Sequence, residues 1–143
     1  MCLILDSDIV HKVFPSPSAD FKAIHLALTS GRAKCVYGGG LTREYEKIAS
    51  FKRFLRLLDQ QGAAKQFPDS SVDSEAQRLE ASGLCVSNDF HILGLAIVSK
   101  ARLVCSDDKR LATDCTNPSI LSNPRGNIYK YAAHSHLIKE HCG

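Results

Sequence analysis

An α/β layer fold with a mainly parallel sheet is predicted by two features of this 143-residue chain. Short, continuously apolar runs, which suit strands buried on both faces, alternate with longer stretches whose apolar residues recur every three or four positions, as on helices. The apolar run at residues 2–5 and a second strand-like run at 102–105 stop abruptly, the first at Asp6 and the second at Ser106-Asp107-Asp108. Alternation of this kind is the pattern of strand–helix–strand crossovers, which hold a parallel sheet between helices.

Taken in order, residues 2–5 form the first strand. Residues 19–30 carry Phe21, Ile24, His25 and Leu28 at helical spacing and are closed by Gly31. Residues 33–37 form the second strand, followed by the turn Gly38-Gly39-Gly40, which lacks the lysine of a phosphate-binding loop. The spacing of Leu41, Ile48, Phe51, Leu55 and Leu58 predicts one helix over residues 42–60, with Thr42 as N-cap and Gly62 as stop. A weaker helix is expected over 71–81 and a stronger one over 88–100, capped by Ser87 or Asn88. Strand 102–105, a short helical turn, a Pro- and Asn-rich loop over 117–126, a strand at 127–129 and a terminal helix complete the chain.

With 44% hydrophobic residues and no repeat or linker, residues 1–143 read as a single domain able to bury its own core. The longest apolar stretch, residues 92–98, is far below the ~20 residues of a spanning helix, and no secretory leader precedes Asp6. A soluble, cytoplasmic protein is expected. The six cysteines show no CxxC pair and are read as reduced and mostly buried. Residues 12–56 hold nine of the eighteen Lys and Arg but only three of the fifteen Asp and Glu, a basic flank suited to a phosphate backbone.

The acids carry the chemistry. In parallel sheets ligands bind at the carboxyl ends of strands, where Asp6 with Asp8 and Asp107 with Asp108 fall. Counting ~100° per residue, Glu44 lies about 40° from Ile48 and about 20° from Phe51, on the buried stripe, whereas Glu46 faces solvent. Asp89 lies within about 40° of Leu93 on the apolar face of the next strong helix. Inward-pointing carboxylates need a cation, donors or a raised pKa, and several converging on one place fit an all-oxygen site for Mg²⁺ or Mn²⁺.

With these residues in place the chain resembles the PIN-domain family of metal-dependent ribonucleases. "LILDSDIV" matches the first acid with Asp6, "LTREYEKI" the inward helical acid with Glu44, "NDFHILGLA" the third with Asp89 and "LVCSDDKRL" the fourth with Asp107. The resemblance covers most of the chain and implies a Rossmann-like α/β/α sandwich and hydrolysis of phosphodiesters, usually in RNA. Asp6, Glu44, Asp89 and Asp107 would be catalytic and metal-ligating, with Asp108 as a neighbouring ligand candidate. Many such proteins are toxins of toxin–antitoxin pairs, so an inhibitory antitoxin-like protein and a homodimer are possible partners. Lys12, Arg43, Lys47 and Lys109 are candidates for gripping phosphates.

The chain departs from the family pattern at Asp8 and at Cys105, where a Thr or Ser hydroxyl commonly supports the site; Ser106 is the neighbouring hydroxyl. Two other readings are carried forward. "LILDSD" also resembles the opening motif of haloacid-dehalogenase-like phosphatases, with Asp6 as nucleophile and Asp8 as acid–base. A catalytically inactive PIN-shaped module that binds RNA or protein is the other.

Overall fold

The structure is a computed structural model and describes residues 2–143. Five parallel strands, β1 (Leu3–Leu5), β2 (Cys35–Tyr37), β3 (Ala64–Gln66), β4 (Leu103–Cys105) and β5 (Asn127–Tyr129), lie in the order β3-β2-β1-β4-β5. The helices are α1 (Val10–Val13), α2 (Lys22–Thr29), α3 (Gly40–Glu46), α4 (Ala49–Gln60), α5 (Asp69–Ser82), α6 (Phe90–Ser99), α7 (Lys109–Cys115) and α8 (His136–Cys142). They flank the sheet as a three-layer, Rossmann-like α/β/α sandwich.

The central strands explain their own composition. Every residue of β1, β2 and β4 is buried, as expected of strands covered on both faces. Ile92, Leu93, Leu95 and Ala96 of α6 are fully buried, and they continue the core made by Leu3, Leu5, Leu103 and Val104.

Three expectations are corrected. Residues 42–60 are two helices, α3 and α4, interrupted at Ile48, whose backbone (φ −111°, ψ 87°) is not helical; the N-cap is Gly39, not Thr42. Asp89, rather than Ser87 or Asn88, occupies the N-cap position of α6. Cys2 and Cys142 form a disulfide, so only Cys35, Cys85, Cys105 and Cys115 are free. The chain pairs β1 with β4 and packs α8 against β4, which brings two cysteines 140 positions apart to a Cα–Cα distance of 5.2 Å; spacing along the sequence carries no trace of this. No helix among the described residues is long and apolar enough to cross a membrane.

The strand order places the site. From β1 the chain moves outward through β2 and β3, then returns to the other side of β1 for β4 and β5. Between β1 and β4 the direction of winding reverses, and the crevice at their carboxyl ends is where such sheets hold ligands.

Candidate metal centre

Leu5 is in register with Cys105, so the residues that follow, Asp6 and Ser106, emerge side by side at the reversal. The Asp6 amide donates to the Cys105 carbonyl at 3.0 Å, extending the pairing by one bond. Asp6 is only 4% exposed. Its Oδ2 accepts from the Ser106 hydroxyl at 2.8 Å and its Oδ1 from the Asp8 amide at 3.3 Å. Burial raises its pKa, the two donors oppose that, and the charges of Asp8 and Glu44 add to the rise. Ser106 thus supplies the hydroxyl that Cys105 cannot.

Glu44 arrives on α3. Two features aim this helix: Gly39, whose backbone (φ 58°, ψ −133°) is open in practice only to glycine, and Tyr45, whose hydroxyl donates to the Leu5 carbonyl at the end of β1. The Ser7 hydroxyl then donates to Glu44 Oε1 at 2.9 Å. The other oxygen, Oε2, is buried without a well-aligned hydrogen bond and lies 3.0 Å from His91 Nε2, which also lacks one. Glu44 therefore faces the acids and not bulk solvent, although the break at Ile48 means that it shares no single helical stripe with Phe51.

Asp89 stands at the start of α6, half-buried. Its pKa is pushed up to about 7, first by burial, then by the charges of Asp6 and Asp108, by hydrogen-bonding contact with the Asp108 carboxyl, and by Glu44. Asp108 caps α7, its Oδ1 accepting from the amides of Arg110 at 2.9 Å and Leu111 at 3.2 Å. Its own amide donates to Ser106 Oγ at 3.1 Å, so one hydroxyl ties Asp6 to the turn that carries Asp108.

Asp107 goes elsewhere, which corrects its assignment as the fourth acid of the cluster. Its side chain is 44% exposed and pairs with Lys12 at 2.9 Å. That contact, aided by Lys130, holds its carboxyl below the usual range. It lines a separate cleft with Lys12, Ser18, Asp20 and Lys130. Consecutive residues beyond a strand point in different directions, so only one of this pair can face the reversal, and it is Asp108.

The arrangement fits a hard divalent cation in its chemistry. Asp6, Glu44, Asp89 and Asp108 offer only oxygen, two of the carboxyls are in contact, and Glu44 Oε2, 3.0 Å from His91 Nε2, is a buried acceptor without a well-aligned hydrogen bond. Lys12 and Arg43 are engaged outside the cluster, with Asp107 and with Asp73 at 3.0 Å, and His91 is the basic group set against one of the four acids, Glu44. Among the described residues no group of three or more His, Cys, Asp or Glu side chains stands in a ready-made metal-holding arrangement. A polar groove lined by Gly40, Arg43, Asp73, Asn88 and His91 opens beside Glu44. A second groove, between α2 and α8, is lined by Ala23, Leu26, Ala27 and Ile138 and contains none of these acids.

No family model, no curated protein and no solved structure matches the chain.

Proposed function

We propose that the protein is a PIN-like, Mg²⁺- or Mn²⁺-dependent endoribonuclease whose metal ligands are Asp6, Glu44, Asp89 and Asp108. The observation that carries this reading is buried Asp6 at the strand reversal, bonded to Ser106 and near enough to half-buried Asp89 that its charge, with those of Asp108 and Glu44, adds to burial in raising the Asp89 pKa. A fold does not maintain such repulsion for stability; a cation or a moving proton gives it a use.

When bound, a divalent ion supplies charge neutralisation to the phosphate oxygens and acidity to the attacking water. The chain's own groups do the rest. Asp6, fixed through both oxygens, offers a rigid anchor. Glu44, held by Ser7 at Oε1, faces His91 with Oε2, and an exchange of that contact would turn Oε2 to water or an ion. Asp89, whose carboxyl is pushed up to about 7 in the metal-free protein, would give up that proton and add its charge to the ligands when the ion binds. Exposed Lys47 and Lys109, together with Lys52, Arg53 and Arg56 on α4, offer contacts for a phosphate backbone. RNA as substrate, an antitoxin-like inhibitor and a homodimer belong to this same proposal and rest on the family resemblance, whereas a cytoplasmic setting rests on the sequence alone and is opposed by the Cys2–Cys142 disulfide.

The phosphatase alternative is disfavoured by Glu44, which that reading leaves without a role and whose charge nevertheless stands close enough to raise the pKa of Asp6. An inactive binding module is separated from a nuclease by incubating the purified protein with total RNA in Mn²⁺, with and without chelator, and sequencing the new ends. Defined ends that vanish with chelator and with Asp6→Asn are expected. Ends that persist in chelator, or none at all, overturn the reading.

A further inference from the structure

Asp114 on α7 lies outside the acidic cluster and is 1% exposed. Its carboxylate is given entirely to one turn of another element. The Val86 amide donates to Oδ1 at 2.9 Å, the Ser87 amide to Oδ2 at 2.9 Å, and the Ser87 hydroxyl to Oδ2 at 2.6 Å. Ser87 Oγ in turn accepts from the Asp89 amide at 3.4 Å. A chain of hydrogen bonds thus runs from the interior of α7 to the backbone of Asp89, while the same short helix begins at Asp108, whose carboxyl contacts that of Asp89. Six residues of helix, about 9 Å of rise, separate its two ends. Helix α7 therefore holds Asp108 directly and Asp89 through Asp114.

Nothing in α6 itself does this work. The side chain of Asp89 does not cap its own helix, and α6 lacks any side-chain cap bond at its N-terminus. Without Asp114 the turn at 86–88 would lose three donors' partner, and the repulsion among Asp89, Asp108 and Asp6 would be free to push Asp89 outward.

We propose that Asp114 is a positioning residue that sets Asp89 against Asp108, and through that spacing sets the affinity of the site for a divalent ion. The inference rests on the metal-site reading above. Asparagine at this position keeps one acceptor but turns an NH₂ toward amide donors, so Asp114→Asn should release one side of the turn. Alanine at Ser87 removes the bridge to Asp89 and leaves both backbone contacts to Asp114.

The test is calorimetric titration with Mn²⁺ alone on wild type, Asp114→Asn, Ser87→Ala and Leu137→Ala, the last a buried residue of α8 that reports general destabilisation. Expected are a dissociation constant raised about tenfold or more in Asp114→Asn, a smaller rise of the same sign in Ser87→Ala, and no change in folded Leu137→Ala. In RNA cleavage the first two should lose kcat with KM little altered. Wild-type affinity in Asp114→Asn overturns the proposal, as does an equal loss in Leu137→Ala. If Asp114→Asn fails to fold, Ser87→Ala decides: unchanged affinity there overturns it. Wild type that neither binds Mn²⁺ nor cleaves RNA overturns the metal-site reading itself, a different result from a variant that matches a metal-binding wild type.

Discussion

At Asp89 the fold binds a proton more tightly than the unfolded chain does. With the folded pKa raised to about 7 from an unfolded value near 3.8, the native state carries the extra proton throughout that window, so stability falls as pH rises through it. In metal-free protein, Asp89→Asn should therefore be nearly neutral at pH 5 and stabilising at pH 8. Solvent screening limits the gain to on the order of 1 kcal/mol, or roughly 3 °C in melting temperature. Thermal melts at the two pH values check this, and an equal shift at both contradicts it. Mn²⁺ must displace the same proton, so its affinity should rise with pH through about 7. Neighbouring Asp107 and Asp108 separate just as sharply. Asp108→Asn should slow Mn²⁺-dependent RNA cleavage by about a hundredfold, on the order of 3 kcal/mol of barrier, whereas Asp107→Asn, which only frees Lys12, should cost a few-fold at most. The sequence showed that one of the pair would face the site. It could not show which, because that depends on the direction of the chain leaving β4 and on the Ser106 hydroxyl seizing the Asp108 amide.

Among the elements, α5 and α6 pack so closely that Gly94 has no room for a side chain. A Cβ there would stand 2.9 Å from the Ala76 nitrogen and 2.9 Å from the Val72 oxygen, both backbone atoms that cannot turn aside. Gly94→Ala should destabilise the protein by roughly 1–3 kcal/mol, readable as a lower denaturation midpoint. Because α6 begins at Asp89, the same variant should also weaken Mn²⁺ binding. Periodicity found α2, α5, α6 and the buried strands, since each presents a full stripe or run to the core. It joined α3 to α4 because an apolar stripe does not record the non-helical backbone at Ile48. It missed β3 because Lys65 and Gln66 are exposed on an edge strand that buries only Ala64. It missed α1 because four residues hold a single turn and no period. Asp114 escaped for a different reason: nothing in its sequence neighbourhood distinguishes a buried acid tied to a distant turn from a solvated one.

Across the whole molecule, one reversal of strand order sets Asp6 beside Ser106, Asp6, Asp108 and Glu44 lie near enough to raise the pKa of Asp89, and a disulfide joins Cys2 to Cys142. Reducing Cys2–Cys142, or replacing Cys142 by Ser, should lower the melting temperature through the freed unfolded chain, the loop-entropy model giving at most about 5 kcal/mol of lost stability for a separation of 140 residues. The same treatment should leave Mn²⁺ affinity intact, because Cys2 precedes β1 and Cys142 ends α8, away from the strand ends that carry the acids. Calorimetry with and without reductant checks both statements. The central claim is that Asp6, Glu44, Asp89 and Asp108 share a divalent ion while Asp107 stands apart. The most direct test is Mn²⁺ titration at pH 8 of wild type beside Asp6→Asn, Asp108→Asn and Asp107→Asn. Saturable wild-type binding, weakened about tenfold or more by Asp6→Asn and by Asp108→Asn but not by Asp107→Asn, is the predicted result. Absence of saturable binding, or binding indifferent to Asp6→Asn, would contradict it.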